Sequence, residues 1–154
     1  MNNIGRDRLC AERVRDLEEW RRGMEADVVH LAEVAEIQPP QELLEEPRIG
    51  LATLDSLFEH EDIEAINHED ATWITSHLLA YVAIYLIKKF EGRWAVDTDR
   101  ESPTYARYLV ELPAPYGGES VRIDVAQEVH TFLHEPMGRS LLQLVIRLEG
   151  KVAP

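Results

Sequence analysis

The chain has 154 residues, enough for one compact domain whose core needs neither a disulfide nor a metal. Hydrophobic residues make up 45% and charged residues 29%, which argues against wholesale disorder, and the single cysteine, Cys10, excludes an internal disulfide. Net charge is −13, from 19 acids and 7 bases in residues 1–72 and 10 acids and 9 bases in residues 73–154. A field of that sign repels nucleic acid and anionic membranes and attracts basic partners.

Charged residues from Arg6 to Arg13 stand where a signal peptide would carry its apolar run. The longest apolar run, Leu78 to Ile87, has ten residues, half of a membrane span. The expectation is a soluble cytoplasmic protein with no membrane partner.

From Asp7 to Glu36, Cys10, Val14, Leu17, Met24, Val28, Leu31 and Ala35 recur at spacings of three and four, with Arg21 interrupting. That period predicts one long helix, or two broken near Gly23. Pro39 and Pro40 end it, because proline lacks an amide donor and restricts the residue before it. Leu51, Leu54, Leu57 and Phe58 form a second stripe, and Ile63 with Ile66 suggests a further helical turn. Residues 1–68 thus read as an acidic helical segment and residues 69–154 as an α+β core, the two expected to form one compact unit.

Asp70 is placed to cap a helix from about Ala71 to Phe90, ended by Gly92. Trp73, Ile74, Leu78, Tyr81, Val82, Tyr85, Leu86 and Phe90 leave it apolar on most sides, which makes it the central core element. Arg93–Asp97, Tyr105–Leu112 and Ser120–Ile123 read as strands, most economically an antiparallel meander of three on that helix. Asp124 with Gln127, and Ser140 with Gln143, have the capping-box spacing that opens two closing helices, the last stopped by Gly150.

His130 and His134 are the sharpest metal candidates, because residues four apart share a helix face and two imidazoles need that spacing to meet one ion. Glu128 and Glu135 lie nearby. The order His-x-x-x-His-Glu nevertheless differs from the His-Glu-x-x-His of metalloproteases. The repeated triplet His60-Glu61-Asp62 and His68-Glu69-Asp70 reads as two helix starts, with Asp62 and Asp70 each preceding a helical pattern. Asp97, Asp99 and Glu101 alternate like the first ligands of a calcium loop, but Ser102 and Tyr108 stand where that loop needs glycine and glutamate. Arg93, Arg107 and Arg122 line the sheet, as a solvent face or as an anion site. No nucleophile has an activating partner, and no cofactor or catalytic residue is expected.

The run from helix 71–90 through Gly92-Arg93-Trp94, the strand Tyr105–Leu112, a third strand and a helix from Asp124 resembles uncharacterised bacterial domain families. These show a helix, a glycine just before a strand tryptophan, a hairpin and a closing helix, and the resemblance spans residues 71–134. Where such families often carry a glycine pair in the central helix, this chain has Ala80 and Ala83, and Asp124 stands where a proline precedes their closing helix. Some relatives look like immunity or accessory proteins of toxin and secretion loci, which implies a non-enzymatic binding role.

The segment 42–70 carries ten acids against one base, Arg48. The expected function is therefore a protein–protein interaction module for a basic partner, binding through Glu45, Glu46, Glu59, Glu61, Asp62 and Glu64. The alternatives are a metal-dependent or small-molecule-binding enzyme using His130 and His134 or the sheet arginines, and a homo-oligomer, such as a homo-dimer, built through the N-terminal stripe.

Overall fold

The computed structural model describes residues 3–153, and these form seven α-helices and one three-stranded sheet, an α+β architecture. The helical half comprises α1 (Asn3–Arg15), α2 (Leu17–Val34), the four-residue α3 (Glu42–Glu45), a 3₁₀ turn (Pro47–Gly50) and α4 (Leu51–Phe58). The central helix α5 (His68–Phe90) leads into β1 (Arg93–Val96), β2 (Tyr108–Leu112) and β3 (Val121–Ile123), and α6 (Val125–Leu133) and α7 (Leu141–Val152) close the chain.

The N-terminal helix divides at Asp16 rather than near Gly23, which lies inside α2 with open space around it. Of the stripe, Cys10, Met24, Val28 and Leu31 are buried within the chain, while Val14 is half exposed. Met24, Val28 and Leu31 share one core with Leu78, Tyr81 and Val82 of α5. That helix is long and apolar enough to cross a membrane by length and composition, but most of its apolar window is buried against the other elements. Leu54 and Phe58 of α4 join the same core as Leu141, Leu144 and Leu148 of α7.

Two ends of α5 differ from the sequence expectation. The helix begins at His68, and its cap is Asn67, whose side-chain oxygen accepts the Asp70 amide at 2.8 Å. Asp70 sits inside the first turn, where a carboxylate favours the positive helix end. At the other end Glu91, not Gly92, takes the left-handed conformation at φ 55°. Gly92 is needed for another reason: a Cβ there would lie 2.2 Å from Leu112 Cδ2 and 2.7 Å from the Glu111 carbonyl.

The sheet is an antiparallel meander in the order β1-β2-β3. Its register sets Arg93 opposite Glu111 and Glu111 opposite Arg122, so one carboxylate stands between two guanidiniums across three strands. Asp124 and Ser140 cap α6 and α7 as their spacing predicts. Gly150 does not stop α7, which continues to Val152, and Ile63 and Ile66 lie in a turn outside any helix. In that turn Ile63 is still buried in the core.

Candidate functional site

The acid-rich segment is fastened to the fold through its backbone. Tyr81, buried in α5, donates its hydroxyl to the Pro47 carbonyl at 2.8 Å. Burial pushes the Tyr81 phenol well above the ordinary tyrosine range, as the loss of water disfavours a phenolate. Arg139, 6% exposed, donates to the carbonyls of Phe58 at 3.0 Å, Glu61 at 2.7 Å and Glu135 at 3.0 Å. The Gly138 amide reaches the Glu59 carbonyl at 2.9 Å, and Asp55 accepts the Leu141 amide at 2.7 Å. Of these anchors, only Asp55 uses a carboxylate of the segment.

The remaining carboxylates of 42–70 are left largely to solvent. Glu46 pairs with Arg48 and Glu59 lies 3.6 Å from His60. Asp62 accepts the Glu64 amide at 3.2 Å and shapes the turn after α4. Glu42, Glu45, Glu61, Glu64 and Glu69 have no cationic side chain within 4 Å among the described residues. The structure thus puts Glu59, Glu61, Asp62 and Glu64 together on the α4 end and its following turn, with Glu45 and Glu46 before the 3₁₀ turn.

Beside this turn lies a shallow cleft of about 240 Å³, floored by Phe58 and Ile74 and walled by Val34, Leu57 and Trp73, with Glu61 and Asp70 at its rim. Val34 and Leu57, 51% and 42% exposed, leave apolar surface open beside these acids. Leu57 reads in sequence as an ordinary member of a helical stripe.

Trp73 is held by a histidine pair that sequence reasoning passed over. His77, 6% exposed, stacks on the Trp73 ring at 4.0 Å and 15°, and His30 of α2 meets that ring edge-on at 5.5 Å. His77 Nδ1 donates to the Trp73 carbonyl at 2.7 Å, since a carbonyl only accepts. Its Nε2 lone pair then accepts from His30 Nδ1 at 3.1 Å, with Asp27 Oδ1 3.7 Å away. A buried polar side chain is retained when each of its ring nitrogens has a partner, and here both do. The signal in the sequence was a histidine in the middle of an apolar helix.

His130 and His134 do adjoin, with ring centroids 4.2 Å apart at the exposed end of α6. His134 Nδ1 donates to the His130 carbonyl at 2.8 Å. Glu128 is taken by Arg147 and Lys151, and Glu135 faces Arg147 at 3.7 Å. No group of three His, Cys, Asp or Glu is arranged to hold a metal ion among the described residues.

The calcium-like acids have a structural place. Asp97, 2% exposed, accepts from Thr104 Oγ1 at 2.5 Å and from the Asp99 amide at 3.0 Å, fixing the loop between β1 and β2. Burial opposes its charge, but hydrogen bonds from Ser102, Thr104 and the Asp99 amide, with Arg122 nearby, outweigh burial and hold the carboxyl below the usual aspartate range. The sheet arginines are engaged: Arg93 and Arg122 with Glu111, and Arg107 with Asp124 at 2.7 Å.

The chain matches no known protein family, no curated protein and no solved structure.

Proposed function

We propose that this chain is a non-enzymatic interaction module, accessory or immunity-like, that receives a basic protein partner on the face formed by α4, the turn 59–67 and the start of α5. The observation that carries the reading is the coincidence of unpaired carboxylates with exposed apolar side chains around one cleft. A solvated acidic surface needs no aliphatic side chains in its midst. A docking face needs both: charge to steer the encounter and apolar area to hold it. The partner segment this chemistry fits is an amphipathic one, with an apolar anchor for the Val34–Leu57–Trp73 cleft and lysines or arginines for Glu61, Asp62 and Glu64.

The test is a tagged pull-down from native host lysate at low and high salt, run beside a variant carrying Glu61→Lys, Asp62→Lys and Glu64→Lys. The expected result is a stoichiometric basic protein, lost as salt rises and lost with the charge reversal. A bait that stays empty at both salts, or a bound set indifferent to the reversal, sinks the reading. Leu57→Ser separates the apolar contribution, which is expected to shorten residence rather than slow the encounter.

A further inference from the structure

We propose that a second site, the slot between α2, α5 and the start of β1, binds a small amphipathic monoanion: an apolar body carrying one carboxylate. The slot encloses about 420 Å³, within the range of cavities that take small ligands. It shares no residue with the acidic cleft.

Its walls are apolar. Met24 from α2, Ala80 and Ile84 from α5 and Trp94 from β1 line it, and all four are buried or nearly so. The hollow follows from residue size. On α5 the facing position is Ala80, a single methyl among much larger neighbours, and at the strand entrance Gly92 has no side chain. An apolar body placed there leaves water, which drives binding without specifying a head group.

The mouth supplies the specificity. Three cations line the slot, Arg21, Lys88 and Arg93. Arg21 is engaged by Glu18 and Glu25, and Arg93 by Glu111. Lys89 pairs with Glu149 at 2.9 Å. Lys88 alone of the four has no carboxylate within 4 Å among the described residues, in a chain with 29 acids. An ammonium with no direct ion-pair partner at the edge of an apolar slot favours a carboxylate over a neutral head group. Glu18 and Glu25 are matched by Arg21 and Arg22, so Lys88 is the one positive charge at the mouth left for a ligand, which suits a single carboxylate.

The experiment uses octanoate as probe and octanol as its neutral match, titrated calorimetrically into the full chain while intrinsic tryptophan fluorescence is followed. The expected result is one octanoate per chain, a fluorescence change that disappears in Trp94→Phe, and weaker binding of octanol. Lys88→Gln is expected to weaken octanoate about three-fold and leave octanol unchanged, the scale of one exposed charge pair. Ala80→Leu fills the slot and is expected to abolish both. Ile84→Phe fills it from the neighbouring turn and gives the same result should the first variant fold poorly. Octanol binding as tightly as octanoate, several equivalents of octanoate per chain, octanoate affinity untouched by either filling variant, or no heat up to millimolar concentration overturns the proposal.

Discussion

The acidic segment 42–70 and the strand–helix half from β1 onward use carboxylates in opposite ways. In the latter, Asp97, Glu111, Asp124, Glu128, Glu135 and Glu149 each meet an arginine or lysine, and several join elements distant in sequence. In the former, eight of ten carboxylates meet no cationic side chain among the described residues, and the segment is fastened mainly by hydrogen bonds to its carbonyls. Charge in one region is committed to the fold; in the other it is available to something outside it.

The largest test of this contrast is Arg139→Met. It leaves the carbonyls of Phe58, Glu61 and Glu135 without their buried cationic donor. The expected loss is about 3 kcal/mol in denaturant unfolding, as hydrogen bonds to a charged group are among the stronger ones. A loss under about 1 kcal/mol would mean the acidic segment is held some other way.

Asp97→Ala is expected next, at about 2 kcal/mol, through the loop hydrogen bonds it removes. The same group sets a pH dependence. Its folded carboxyl lies below the ordinary range, so its stabilisation is complete above the unfolded value near 4 and is lost as pH falls through the lower folded value. Glu111 follows the same sign, lowered first by its hydrogen bond from Arg93. Melting temperature should therefore drop steeply below about pH 4, and less so in Asp97→Ala.

Glu111→Gln weakens a triad whose two arginines are exposed to solvent and is expected to cost about 1 kcal/mol. The smallest effect belongs to the acidic face. Glu61→Gln with Glu64→Gln is expected within about 0.5 kcal/mol of the parent, neutral or stabilising. Added salt should stabilise the parent more than this variant, because it screens repulsion the variant has already reduced. Marked destabilisation would show that these acids belong to the fold after all.

Much of the architecture was legible in the sequence because it is written in periodicity and caps. The apolar girth of α5 announced the central helix, the alternation around Tyr108 and Val110 the sheet, and Asp124 and Ser140 the last two helix starts. The boundaries that were misplaced depend on single residues that periodicity does not weigh. A one-residue break at Asp16 leaves the stripe nearly continuous, Asn67 competes with Asp70 for the same cap, and Glu91 adopts a left-handed conformation that the adjacent glycine would be expected to take. The acidic face was readable as composition, but the cleft was not. Val34, Leu57 and Trp73 come from three helices, and only the packing decides that their edges stay outside. The His30–His77 pair joins residues 47 apart, a proximity no local pattern encodes.

Arg139 also makes the molecule report on its own integrity. Among the described arginines and lysines it alone is buried, so trypsin meets the others on the folded surface but reaches this one only in chains that have opened. A cut after Arg139 is thus an internal clock for the release of the acidic segment, read as a peptide mass without any added label.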